Sequence, residues 1–491
     1  MNESIYLHLF LAGILIAMAA AHFIYKLRSP HTIGVADLAV WMTALYFGIA
    51  PWFVFLDFER IPFESSEVLL RTYFVLVTFL LAIKFVAYVA EKAFPSRDTA
   101  PPGVVVSRLW IVSAGATTSS LFLVLLFYYA TVVLRVAVGE YYGMFLSGER
   151  FAQDMPEWVG ILLYFAEVFK YGAVVWGAAV LAGKGKHRLF AVLILVTEFL
   201  MTFGVGRRWI VADVVMFLII YLMFVGFRKK TLVYYIVGAI LVIVSVSLFQ
   251  RVRYYRWTYG HGSGIDAYIT AISDAIEDAD KTRRTEAADE NLGERPLEMP
   301  HFCMRIVEAQ LEQPEHAWMQ GDAIVACLVY SIPHYLYPDK RNWPSPEGAI
   351  KRHFAMDVNI DMGSSWPAYG IGDFGMLGGF YVGAIFGLTI VLAEGFARFL
   401  SPKFPYLAAG IVGTMLMYAC QVQEMPSEIF ASLRNDFALG ILCVAIMPLV
   451  RTKWFSQDDP ALPAGSDQAL ESTDDQTAMD PVWPAQVHDF G

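Results

Sequence analysis

Charge is scarce in this 491-residue sequence: 17% of residues are Asp, Glu, Lys or Arg, while 57% are hydrophobic. A soluble domain carries nearer a quarter charged residues, so a soluble globular domain is excluded. Cysteine is also sparse. Cys303, Cys327, Cys420 and Cys443 form no CxxC pair and no Cys/His metal spacing, which removes zinc-finger and dithiol redox chemistry. The four thiols read as small buried hydrophobes. A Cys303–Cys327 bridge stays open only if that segment faces an oxidising compartment. No dense basic stripe is present, so nucleic acid is not an expected partner. The N-terminus lacks a basic leader and a small-residue cleavage site and reads as a first membrane helix.

What is abundant is long apolar runs. Ile5–Tyr25 and Thr231–Phe249 are each about as long as a helix needs to cross roughly 30 Å of hydrocarbon. They do not alternate polar with apolar, so they read as helices and not as barrel strands. The pattern predicts an all-α polytopic membrane protein with about eleven spans: 5–25, 34–55, 69–90, 109–133, 159–182, 189–206, 209–226, 231–249, 370–396, 404–420 and 436–450. The sixth and seventh meet at a very tight turn, Arg207-Arg208.

Charge gives the orientation. Alternate short connections carry Lys26 and Arg28; Lys92, Arg97 and Arg108; Lys184, Lys186 and Arg188; Arg228, Lys229 and Lys230; Arg398 and Lys403; and Arg451 and Lys453. The intervening ones are poor in bases. The positive-inside rule makes the first set cytoplasmic, with the N-terminus outside and the C-terminus inside. The net charge of −10 comes mostly from the tail, residues 455–491. It holds Asp458, Asp459, Asp467, Glu471, Asp474, Asp475, Asp480 and Asp489 and no Lys or Arg. Its composition predicts a disordered acidic cytoplasmic tail after a transmembrane domain over 1–454.

One connection, about 250–368 and between the eighth and ninth spans, is too long to be idle. Ile265, Ile269, Ile272 and Ile276 fall at helical spacing, a second helix is expected near His301–Gln313, and Ala323–Ile332 is apolar but too short to cross. The outward connections are poor in bases, which makes their exceptions informative. Arg207 and Arg208 sit at one boundary, Arg251, Arg253 and Arg256 follow the eighth span, and Arg434 opens the last. Arg forks grip phosphate oxygens bidentately and stay charged when partly desolvated, which suits a lipid-linked pyrophosphate. The competing reading is snorkelling to lipid phosphates. Proton-transfer candidates outside are His261, His301, His334, Asp339, Asp361, Asp373, Glu424 and Glu428. Asp57 and Glu59 read as a solvated acidic loop. Gly370, Gly372, Gly375, Gly378, Gly379 and Gly383 read first as helix-packing positions. Lys84, Glu167, Lys170, Glu198 and Asp213 are the few charges inside expected spans.

Ser331-Ile-Pro-His-Tyr-Leu-Tyr-Pro-Asp-Lys-Arg341 resembles an external-loop motif of bacterial Wzy-type polysaccharide polymerases. Gly370-Ile-Gly-Asp-Phe-Gly-Met-Leu-Gly-Gly379 is similar to that family's Asn-Phe-Gly entry into a glycine-rich span, with Asp373 in place of the Asn. The acidic residue and Tyr that the family often has just upstream do not line up here, where Tyr369 and Ile371 stand instead. The Gly206-Arg207 turn resembles the family's Gly-x-Arg. The resemblance implies a C-type glycosyltransferase (GT-C) fold in the bacterial inner membrane, with neither cofactor nor metal. The implied substrate is an undecaprenyl-diphosphate-linked oligosaccharide, the setting is membrane lipid, and a flippase and a chain-length regulator are the implied partners. His334 or Asp339 would act as base. Arg207, Arg208, Arg251, Arg253, Arg256, Lys340, Asp373 and Arg434 would bind substrate. The same architecture serves O-antigen ligases. The rivals are a polyprenyl-monophosphate-sugar GT-C enzyme using Asp57 and Glu59, and a lipid-linked oligosaccharide transporter.

Overall fold

The computed structural model describes residues 2–28, 33–55, 65–93, 118–137, 157–182, 187–205, 207–225, 232–259, 269–270, 272–274, 286–314, 318–333, 336–356, 365–401, 404–421 and 426–454. Among them there is no strand. The principal helices are α1 Asn2–Leu27, α2 Val35–Phe55, α3 Ser66–Ala93, α4 Thr118–Ala137, α5 Glu157–Ala182, α6 Arg188–Val205, α7 Arg207–Val225 and α8 Leu232–Tyr259. The long connection between α8 and α12 holds α9 Glu286–Glu312, α10 Asp322–Ser331 and α11 Pro346–His353. Then come α12 Trp366–Phe374, α13 Gly378–Leu400, α14 Pro405–Cys420 and α15 Pro426–Trp454. Each of the eleven hydrophobic runs overlaps a helix. Four apolar stretches, Ser4–Leu27, Ser66–Ala93, Trp366–Leu400 and Pro426–Ile446, are long and apolar enough to cross a bilayer. Large apolar side chains such as Leu232, Val233, Ile236, Val237 and Ile240 of α8 face outward. Water would penalise so continuous an apolar strip, whereas lipid does not. The chain has the make-up of a helical membrane protein.

The chain divides into two compact units, Met1–Leu439 and Gly440–Gly491. The second contains the C-terminal part of α15. The expected disordered tail, 455–491, lies outside the described residues, as do Asp57 and Glu59 and most of the expected helix over 265–276.

The first unit is organised by glycine. On α13, Gly379, Gly383 and Gly387 recur every fourth residue and form one stripe. A Cβ on them would lie 2.1 Å from the Val75 carbonyl oxygen, 2.5 Å from that of Phe79 and 3.2 Å from that of Ile83. The partners also step by four in the same direction, so α3 and α13 run parallel with their backbones in contact. α5 and α14 cross by the same device, since a Cβ on Gly410 would lie 2.2 Å from the Val168 carbonyl oxygen. Hydrocarbon gives no hydrophobic drive between helices, so such close van der Waals contact does the work.

The expected ninth span, 370–396, is not one rod. The chain breaks at Gly375, whose φ of 56° favours glycine. α12 then lies antiparallel against α13. A Cβ on Gly378 would fall 1.9 Å from the Gly370 carbonyl oxygen, and the Trp366 and Phe386 rings stack at 4.7 Å. The span proper begins at Gly378, and α12 is a half-helix folded back along it. Hydropathy cannot register this reversal, because both limbs are apolar. Two other boundaries move. α8 continues ten residues past Phe249, and α15 starts at Pro426, a residue suited to the first turn of a helix.

At the end of the bundle where α1 finishes and α2 begins, Asp37 ties four segments together. One carboxylate oxygen accepts from the Gly34 amide at 2.9 Å and meets Lys26 Nζ at 3.0 Å. The other meets Lys84 of α3 and His22 at 3.4 Å. Glu394 of α13 accepts the Val35 amide at 3.1 Å. Lys84, a lone charge in the sequence pattern, is therefore paired.

Gly379→Ala and Gly383→Ala should each lower stability by about 1–3 kcal/mol through overpacking. At Gly395, where an added Cβ would meet nothing within 4 Å, Ala should be tolerated within about 0.5 kcal/mol. Unfolding midpoints of the detergent-solubilised protein would show the contrast.

Candidate functional site

α6 ends at Val205 and α7 begins at Arg207. The Thr202 hydroxyl bonds the Asp213 carboxylate, which requires a full reversal centred on Arg207 and Arg208. The expected tight turn is there. α7 and α8 then run antiparallel. A Cβ on Gly238 would lie 2.9 Å from Leu218, and the Tyr221 and Tyr234 rings are 5.5 Å apart. Carrying that register along both helices sets Arg207 level with the region of Phe249. Arg251 is two residues, or about 3 Å, further on. Arg253 and Arg256 occupy the last turns of α8, which projects about 15 Å past the start of α7. Five of the six arginines thus share one end of one helix pair.

Arg207 and Arg208 sit in the first turn of α7. Cations there oppose the helix dipole, whose N-terminal amides favour an anion. An anion bound at this turn would satisfy the amides and the basic residues together.

Arg434 lies two turns inside α15. Its Nε and Nη2 donate to Asn435 Oδ1 at 3.0 and 2.7 Å. The rings of Phe430 and Phe437 set this part of α15 against Trp366 of α12 and Phe396 of α13.

The long connection after α8 is pinned to the broken helix. Met319 and Gln320 amides donate to the Gly372 and Asp373 carbonyls at 3.0 Å, and Gln310 Nε2 donates to the Ile371 carbonyl at 2.7 Å. Asp373, expected among the substrate contacts, is fully buried. Its two carboxylate oxygens accept from the Ala323 and Ile324 amides, each at 2.9 Å. It caps the first turn of α10 from a distance, and that helix has no side-chain cap of its own. The geometry makes Asp373 the anchor of that connection, and a substrate could reach it only by displacing α10.

Lys340 behaves similarly. Its ammonium donates to the carbonyls of Tyr330 and Ile332 at 3.2 and 2.5 Å, closing the C-terminal end of α10. Asp339 is exposed on the short 3-10 turn Pro338–Asn342. His334, His261, Asp361 and Glu424 lie outside the described residues, and Glu428 is exposed in the first turn of α15. His301 accepts at Nε2 from Arg305 Nε, 3.3 Å away. Burial, then the Arg305 charge, holds its pKa below the usual histidine value, so it is a neutral imidazole with that lone pair engaged. All four cysteines are free, Cys303 and Cys327 included. Burial pushes the Cys303 thiol up to about 12, which leaves it no thiolate at neutral pH.

The intramembrane charges, scattered in the sequence, meet in space. Lys170 Nζ pairs with Glu198 Oε1 at 2.9 Å, both nearly fully buried. Arg135 Nη2 lies 3.7 Å from Glu167 Oε1. Asp213 joins through Thr202, whose hydroxyl also bonds the Glu198 carbonyl at 2.8 Å. Sequence pattern missed Arg135 and Asp436 as members, because each lies close to a helix end in the hydropathy reading.

No family model, curated protein or solved structure matches this chain.

Asp373→Ala removes two charge-assisted bonds and should loosen α10 by roughly 2–4 kcal/mol. Asp373→Asn, which keeps one acceptor, should lose about half of that. Hydrogen exchange of the α10 amides measures it. Unchanged α10 protection in Asp373→Ala would remove the anchor role.

Proposed function

We propose that the chain is a polysaccharide repeat-unit polymerase, a GT-C-type enzyme of the bacterial inner membrane acting at the outer, periplasmic face. It would transfer a growing glycan from its polyprenyl diphosphate to a hydroxyl of a second lipid-linked unit. The observation that carries this reading is the register of α7 on α8, which gathers Arg207, Arg208, Arg251, Arg253 and Arg256 at one end of a helix pair. The sequence resemblance to Wzy-type polymerases supports it.

In the reaction the acceptor oxygen bonds to the anomeric carbon as the bond from that carbon to the diphosphate oxygen breaks. Negative charge develops on the leaving diphosphate. Guanidiniums brought to that position would stabilise the transition state more than the ground state, which is the electrostatic contribution that usually dominates. The acceptor's proton needs a base, and Asp339 or His334 of the external segment fills that role in this reading. Asp373 and Lys340 act indirectly, by holding α10 and the motif that follows it.

A second reading, a lipid-linked oligosaccharide transporter, is favoured by one observation: buried ion pairs deep between α4, α5, α6 and α7. Such groups mark transport pathways as well as enzymes. A transporter would leave the lipid-linked glycan unchanged in length and move it to the opposite leaflet.

Arg251→Ala in purified protein supplied with lipid-linked repeat units should reduce kcat/KM by about 10–100-fold, the worth of one charge-assisted phosphate contact. Wild-type polymer yield from that variant would dispose of the diphosphate clamp.

A further inference from the structure

Six residues into α7, about 9 Å along its axis from Arg207, the bundle encloses a group of carboxylates. Glu167 of α5 faces Arg135 of α4. Glu198 of α6 faces Lys170 of α5 and accepts from the Tyr128 hydroxyl at 3.2 Å. Asp213 of α7 is bonded on one oxygen by Thr202, and its Oδ1 has no hydrogen-bond partner. Asp436 of α15 is 1% exposed, and neither carboxylate oxygen has a hydrogen-bond partner. Asp436 lies within electrostatic reach of Glu167. Asp213 lies within reach of Glu198, Lys170 and Arg135. Tyr171 of α5 lies within electrostatic reach of Glu167 and Asp213, and Tyr418 of α14 within reach of Glu167 and Asp436. Gln421, just beyond α14, is 3% exposed with both amide atoms unpartnered.

Asp213 Oδ1 and both oxygens of Asp436 are buried and bare. An ionised carboxylate left so in a low-dielectric interior costs several kcal/mol. A proton removes the charge at once. A metal ion is the poorer answer, because among the described residues no three His, Cys, Asp or Glu side chains converge as a metal site requires. Asp213, bonded on one oxygen only and beside the ion-paired Glu198, is neutralised by a proton in the same way.

We propose that Asp213 and Asp436 form a proton-binding site inside the helix bundle, holding two exchangeable protons at neutral pH, one on each. Glu167 pairs with Arg135 and Glu198 with Lys170. Exchange with solvent runs from the edge of the network at Arg135 and Thr202. These residues lie within one turn of the ends of α4 and α6, Ala137 and Val205, on the side of the Arg207 turn. The site holds protons whether the basic rim serves glycan transfer or transport.

Infrared difference spectra of the full chain in lipid nanodiscs, taken between acidic and alkaline buffer, test this without any glycan. The wild type should show a carbonyl band of buried carboxylic acid at neutral pH that disappears on alkalinisation and returns on acidification. Asp436→Asn should remove about half of it, and Asp213→Asn should remove the other component. If Asp436→Asn fails to fold, Asp213→Asn decides alone. Absence of the band at neutral pH, or a band that neither substitution changes, overturns the proposal. Because no substrate is present, its failure is separate from failure of the polymerase reading.

Discussion

The packing of α13 directly on the backbone of α3 is the contact on which the rest depends. Gly379, Gly383 and Gly387 remove the side chains that would hold the two helices apart. With α13 seated there, Gly378 meets Gly370, and α12 can fold back in the shallow space left beside it. The reversal turns the end of α12 towards α10, and from it Asp373 reaches the first amides of α10. A stripe of missing methyls at one interface thus sets the position of a capped helix in the long connection. The early stages require only that nothing intrude, and the last adds the two amide bonds to Asp373.

The two ends of the bundle solve different electrostatic problems. At one, Asp37 gathers Lys26, Lys84 and His22 where water is near, and the result is a staple between α1, α2 and α3. Towards the other, the carboxylates Glu167, Glu198, Asp213 and Asp436 are buried with Arg135 and Lys170 among the described residues, while basic positions cluster at the start of α7 and the end of α8.

Helix existence was legible in the sequence because apolar length is a local property. The eleven runs, the sharp turn at Arg207-Arg208 and the helix near His301–Gln313 can all be read from short windows. The fold-back of α12 cannot. Its limbs are both apolar, and only the backbone angle at Gly375 tells one span from a hairpin. The glycines of 370–383 read as packing positions, and the structure gives each limb its use for them. The site was legible in part. The run of arginines stands out against base-poor connections, but the roles of Asp373 and Lys340 do not, because their partners are backbone groups some way off along the chain. Lys84, Glu167, Lys170, Glu198 and Asp213 are visible as charges. That Asp37, Arg135 and Asp436 join them depends on helix neighbours, which local pattern does not carry.

The α3–α13 contact also has a bearing on biogenesis. The two helices lie near opposite ends of the chain, so α3 is synthesised long before its partner exists. Contacts so distant in sequence form late and slowly. Until α13 is inserted, the carbonyl face at Val75, Phe79 and Ile83 has no glycine stripe to close it. The nascent protein must pass most of its assembly with its central seam open, and α12 and the long connection before it can settle only after that seam shuts.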